Sequence, residues 1–489
     1  MPIDFHAILP ELILSGFIVL VLVVDVFLPA RRKWWAMPLS LVGVLATLVA
    51  TLTLIGSVPR ETFGGTFVVD PFALTFKVFF LVVAMVVLAL SLRYFREGGF
   101  YQGEYYFLLL TSFLGCLLMP SSRDLLLLFL ALEIVSAPGF LMAAFRKGDI
   151  RSNEAGLKFF LIGILSTAVM LFGMSIIYGI TGGATGLGDI AGALSDLDPS
   201  LETLAFAAIL FVVVGFAFKV SAFPFQFWAP DTYEGAPVPV AAFLAVASAV
   251  AGFAGLLQLM FVAFVEQHAF WVPVFAFLSL ATMTIGNLVA LQQKHAVRLL
   301  AYSGIAQSGY ILLPFALVTS DAASNRLAFS ASVAYILIYG VMNLGAFAVV
   351  TAVSRRAPNL LITDFAGLAR VVPLLAVGMT IFMISLAGVP PTGGIWAKLL
   401  IFRAAIERGE VLGPLLAAAM VINSVISIAY YFMIPREMIF REPGDGLVAL
   451  RSPALVSGVV VVAMVVIVAI FFLPNPFADL ADLSTLVGS

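Results

Sequence analysis

Charge is scarce in this sequence. Asp, Glu, Lys and Arg make up 11% of its 489 residues and hydrophobic residues 62%, where a soluble domain carries about 25% charged and roughly 45–50% apolar residues. An ordinary water-soluble fold is excluded, and a membrane protein remains. Cysteine is nearly missing as well. The only cysteine is Cys116, and the three histidines, His6, His268 and His295, are scattered among loops and termini, so no ligand set for zinc, haem or an iron–sulfur cluster is expected. Any redox chemistry should therefore lie on a partner. The net charge of −2 says nothing about nucleic acid, and none is expected. No basic residue precedes the first apolar run, MPIDFHAILPELIL, which therefore lacks a signal-peptide n-region and is expected to stay as a first span.

What is present is a series of apolar segments, each long enough to cross a hydrocarbon core about 30 Å thick. The pattern predicts an all-α polytopic membrane protein of fourteen helices, at 8–29, 36–56, 70–92, 104–120, 124–145, 154–180, 202–229, 238–264, 271–292, 298–318, 327–353, 371–407, 412–435 and 454–473. The seventh and twelfth are overlong and interrupted. Of 25 Lys and Arg residues, four fall inside spans; Arg60, Arg123, Arg326, Arg403 and Arg408 lie in loops of one side, and the remaining sixteen in loops of the other. The positive-inside rule makes the second side cytoplasmic, with both termini outside.

A charge near the bilayer centre costs about 2.5–3.5 kcal/mol on insertion scales, so one that persists has a partner, water or a purpose. Asp25, near the end of the first span, faces the basic turn Arg31–Lys33 and reads as interfacial. Lys77 is expected to snorkel to the headgroups. Glu133 lies too deep for that and reads as a titrating group in a polar cavity, with Pro138 freeing a backbone carbonyl nearby. Lys158, on the next span, reads as a snorkelling cation or as one loosely coupled to Glu133.

Lys219 ends the run TLAFAAILFVVVGFAFK, and Pro224 follows in the same stretch, FKVSAFPF. The proline should break the helix at the charge, leaving freed carbonyls and a helix C-terminus to stabilise an ammonium. The twelfth span repeats the device in ISLAGVPPTGGIWAKLLIF, where Pro390, Pro391, Gly393 and Gly394 precede Lys398. Broken helices in corresponding positions indicate inverted repeats, here helices 4–8 (104–264) and 9–13 (271–436), between a three-helix segment (1–95) and a C-terminal helix and tail (453–489). Lys219 precedes its proline, whereas Lys398 follows its own. Tyr335, Tyr339 and Asn343 share one face of the eleventh helix, as a water-path lining or as hydrogen-bonding groups. The glycines of TGGATGLG (181–188) form no phosphate cradle, and Glu266 and His268 read as loop residues.

FKVSAFPFQFWAPDTYEGAPVPV, NEAGLKFFLIGILSTAVMLFGMSIIYG, GNLVALQQKHAVRLLAYSGIAQSGY and GVPPTGGIWAKLLIF together resemble the antiporter-like membrane subunits of respiratory complex I, the proton-pumping NADH:quinone oxidoreductase. The likeness runs over residues 70–440, and the length, the spans and a lysine in the twelfth are most similar to the subunit N branch. The resemblance implies a proton relay through Glu133, Lys158, Lys219 and Lys398, with Pro224, Pro390 and Pro391 as helix breaks. It also implies flavin, iron–sulfur clusters, NADH and quinone on partner subunits only. The implied partners are the neighbouring antiporter-like subunit M, small membrane subunits and lipids, in a bacterial inner membrane. Three positions depart from the family: Ala249 stands where an eighth-helix lysine is common, and Gln226 and Gln307 where histidines are. Two other readings are a subunit of an Mrp-type sodium/proton antiporter and a structural module without pumping.

Overall fold

The computed structural model describes residues 3–98, 102–357, 359–443 and 452–483; Arg451 and the end of the tail, 484–489, lie outside them. Thirteen helices among the described residues are long and apolar enough to cross a membrane. The shorter apolar helix Pro373–Ala387 supplies a fourteenth crossing, its length cut by the break foreseen in the twelfth span. In order the spans are Leu9–Phe27, Ala36–Leu52, Pro71–Gly98, Gln102–Leu118, Leu125–Ala143, Ile150–Ile180, Glu202–Lys219, Val238–Ala263, His268–Ala290, Ala296–Leu312, Ala322–Val353, the pair Pro373–Ala387 and Gly394–Arg408, Leu412–Tyr431, and Ala454–Phe472. The predicted seventh span stops ten residues early, at Lys219, and helix Trp228–Gly235 resumes beyond the break. Helix Leu187–Ser195, in the loop read only as glycine-rich, was not foreseen. A two-stranded antiparallel hairpin, Arg60–Thr62 with Phe67–Val69, closes the loop before the third span.

Helix ends follow local chemistry. Asp124, Asp149 and Asp321 cap the fifth, sixth and eleventh spans by accepting hydrogen bonds from backbone N–H groups of their first turns, which otherwise have no intrahelical partner. Packing then sorts the spans. The eighth is buried throughout and the eleventh almost so, whereas the first and fourteenth bury under a third of their residues. The sixth turns Leu161, Leu165 and Phe172 outward. Apolar side chains on the outside are the solution for a chain whose solvent is lipid, so burial alone, and not hydrophobicity, marks the centre. Two π-helical turns, Leu244–Ser248 and Leu259–Ala263, interrupt the eighth span on either side of Gly252, which lies against Lys219, and such turns are enriched at functional sites.

Candidate functional site: two lysines at two broken helices

The first break begins where the seventh span ends at Lys219, whose neighbour Val220 is no longer helical. Ser221 has a positive φ of 56° and Pro224 offers no N–H, so the helix cannot resume until Trp228. Phe223 N–H is satisfied by Thr282 Oγ1 of the ninth span, at 2.9 Å. The Lys219 side chain is 2% exposed, and its Nζ donates to Ser136 Oγ at 2.7 Å. Ser136 in turn donates to Leu132 O at 2.7 Å, which turns its lone pairs toward the ammonium. Glu133 stands one turn before Ser136 on the same face of the fifth span, within electrostatic reach of Lys219. One carboxylate oxygen of Glu133, Oε1, is buried without a hydrogen-bond partner. The Lys219 stem lies against Gly252 of the eighth span, where an added Cβ would come within 2.8 Å of Lys219 Cγ.

The second break begins at Gly388, with φ 81°, a left-handed conformation that glycine adopts most readily. Pro390 and Pro391 lack N–H groups, and helix Gly394–Arg408 restarts with Gly394 N–H bound to Ser385 Oγ at 3.0 Å. Lys398, 6% exposed, reaches back across the break and donates to Ala387 O at 2.8 Å. Its Nζ also sits 4.7 Å from the ring centroid of Tyr310, a cation–π arrangement. Lys398 serves the C-terminal end of the half-helix that precedes its break, through Ala387 O, where the dipole favours a cation. At the first break the freed carbonyls foreseen for Lys219 are taken by backbone N–H groups, Phe216 O by Val220, Ala217 O by Ala222 and Phe218 O by Ser221, and Lys219 turns instead to Ser136.

Between the lysines lie neutral polar groups. Tyr339 Oη donates to Ala245 O at 3.0 Å and receives Asn343 Nδ2–H at 2.8 Å. Tyr335 Oη donates to Gln307 Oε1 at 2.5 Å, and Gln307 Nε2 donates to Leu386 O and to Tyr431 Oη. The face shared by Tyr335, Tyr339 and Asn343 is therefore hydrogen-bonded to the eighth and tenth spans.

Lys158 Nζ pairs with Asp231 Oδ2 at 2.6 Å and Glu154 Oε1 at 2.7 Å, at the rim of a cavity of about 280 Å³. Arg298 takes the other Asp231 oxygen, Oδ1, at 2.7 Å, and Glu234 Oε2 at 2.9 Å. His295 caps the tenth span beside this cluster by accepting from Arg298 N–H. Burial holds the His295 imidazole below its ordinary pKa, which keeps it the neutral acceptor that the cap requires.

Lys77 corrects its expectation. It does not snorkel: it is fully buried and pairs with Glu11 of the first span at 2.8 Å. A lone Glu two residues into the first span and a lone Lys early in the third, both entering from the same side, were the available signal. Asp25 does meet the basic turn, at Lys33, 2.8 Å away. Arg123, before the fifth span, is held by Asp70 and Gln258.

A family model described as the transmembrane region of NADH:quinone oxidoreductase and Mrp antiporters matches residues 122–427, a stretch that contains both breaks. The chain belongs to that family. Among curated relatives of this NADH:quinone oxidoreductase/Mrp antiporter family, NADH-quinone oxidoreductase subunit N of Trichlorobacter lovleyi is 39% identical over 91% of this chain and 89% of its own. The protein of the same name from Anoxybacillus flavithermus is 39% identical over 98% of both chains. Among solved structures, a chain of respiratory complex I from Thermus thermophilus superposes with a TM-score of 0.79 at 31% identity, covering 96% of this chain and 98% of that one. A chain of the Mrp complex from Dietzia sp. shares the fold, with a TM-score of 0.84 at 19% identity over 98% and 97% of the two chains. Against the family pattern, Ala249 is 8% exposed in the eighth span, one turn before the Gly252 that supports Lys219.

Proposed function

We propose that the chain is a proton-translocating membrane subunit of NADH:quinone oxidoreductase, and that Glu133, Lys219 and Lys398 exchange protons along the membrane midplane. Lys158, paired with Asp231 and Glu154, stands outside the exchanging row as a charge nearer the cytoplasm, in the orientation that the loop charges favour. The driving force is electron transfer in partner subunits, which carry the flavin, the iron–sulfur clusters and the NADH and quinone sites. Those partners include a neighbouring antiporter-like subunit and small membrane subunits, in a bacterial inner membrane with both termini on the periplasmic side. Spans 4–8 and 9–13 act as inverted repeats, each contributing one break and one ammonium.

The observation that carries this reading is the pair of ammonium groups, each buried at a break in a spanning helix. Moving one charge against 100 mV costs about 2.3 kcal/mol, and a group that gains or loses a partner at such a break can supply an energy of that order. Relatives 39% identical over nearly the whole chain favour the oxidoreductase over the Mrp-type antiporter. The deciding experiment is Lys219→Ala in the assembled complex, with protons moved per NADH oxidised measured in membrane vesicles. A marked fall in that ratio is expected. An unchanged ratio makes the chain a structural module.

A further inference from the structure

Helix Trp228–Gly235 follows the first break and carries Asp231 and Glu234 one turn apart. The two oxygens of Asp231 go to two different cations: Oδ2 to Lys158 of the sixth span at 2.6 Å, Oδ1 to Arg298 of the tenth at 2.7 Å. Arg298 also holds Glu234, Lys158 also holds Glu154, and Arg146 Nη2 donates to Gly235 O at 2.8 Å at the helix's end. One carboxylate thus joins spans from both halves of the antiporter-like core. At the other end of the same helix, the Trp228 ring stacks on Phe159, with centroids 4.2 Å apart and planes 10° apart. Its Nε1–H donates to Phe218 O, the carbonyl of the peptide that enters Lys219, at 3.3 Å. Eight helical residues, about 12 Å long, therefore connect the charge cluster to the backbone at the buried lysine.

We propose that Asp231 is a positioning residue: bridged between Lys158 and Arg298, it clamps the short helix against both halves of the core and so holds the break at Lys219, with Lys158 serving as a fixed charge in the clamp. A proton carrier must take up and release a proton, whereas a clamp needs only a lasting positive charge, and arginine supplies the second without the first. The clamp rests on the proposed relay through Lys219. Exposed ion pairs are individually weak, and the strength here comes from one carboxylate shared by two cations and neighbouring acids.

The test compares Lys158→Met, Lys158→Arg and Asp231→Asn in the assembled complex, reading protons moved per NADH oxidised and backbone hydrogen exchange over 228–235. Lys158→Met and Asp231→Asn are expected to lower the ratio together, by about two- to fivefold, and to raise exchange in the short helix. Lys158→Arg is expected to recover most of the loss and the protection. An arginine variant as impaired as the methionine variant would make Lys158 a carrier and overturn the clamp, as would full pumping in Asp231→Asn. If Asp231→Asn does not assemble, the two Lys158 variants still decide. Lys219→Ala, run alongside, separates the two ideas: full pumping there defeats the relay, while exchange over 228–235 continues to report on the clamp.

Discussion

The two breaks hold the same ion by different means. Lys219 binds a side-chain hydroxyl, Ser136 Oγ, with Glu133 one turn away. Lys398 binds a main-chain carbonyl, Ala387 O, under the ring of Tyr310, and among the described residues no carboxylate is paired with it. A main-chain acceptor and an aromatic face bind a cation without being able to exchange a charge with it, whereas a carboxylate on the neighbouring span can. The first site is suited to gaining and losing a partner. The second is suited to keeping one geometry. Both stems rest on a glycine, Gly252 at the first site and Gly388 at the second.

The contrast is sharpest at those glycines. Gly388→Ala would place a side chain at φ 81° and a Cβ within 2.7 Å of Lys398 Cδ. Strain and overlap together are expected to cost about 2–4 kcal/mol, seen as a lower inactivation temperature of the complex and as lost pumping. Gly252→Ala lies in an unstrained helix, where the propensity gain of about 0.5–1 kcal/mol offsets part of the crowding against Lys219. It should be the milder variant, and equal damage at both positions would erase the distinction between the sites.

Ser136→Ala removes the hydroxyl from Lys219, an effect of about 1.5–3 kcal/mol for a hydrogen bond to a charged group. No side-chain substitution removes the corresponding acceptor from Lys398. A fall in pumping with assembly intact is expected, and normal pumping would mean that Ser136 is incidental. Glu133→Gln keeps the shape and removes the charge. Roughly tenfold slower proton transfer is expected, equivalent to about 1.4 kcal/mol, measured as vesicle acidification at a fixed rate of NADH oxidation. Unaltered acidification would remove the asymmetry on which the comparison stands.

Much of this is legible in the sequence. The hydropathy located the spans, and Pro224 and the Pro390–Pro391 pair located both breaks, because a missing N–H is a covalent property that no packing restores. Partners were not legible. The reading that let Lys77 snorkel considered one helix at a time, and its partner Glu11 lies 66 residues earlier in the chain. Lys158 and Glu133 sit on consecutive spans, yet the order of spans does not state the rotation of a helix. Asp231 and Arg298 were visible only as a residue in a motif and a loop cation, until the fold joined them.

By itself the sequence determined that the chain crosses the membrane many times, that two crossings are broken, and that a lysine stands at each break. These follow from local covalent facts: side-chain transfer energies, proline's ring, glycine's freedom. The tertiary structure alone decided which group each charge meets, because hydrogen bonds and ion pairs act over a few ångströms, and only the packing of rotated helices brings residues distant in the chain within that range.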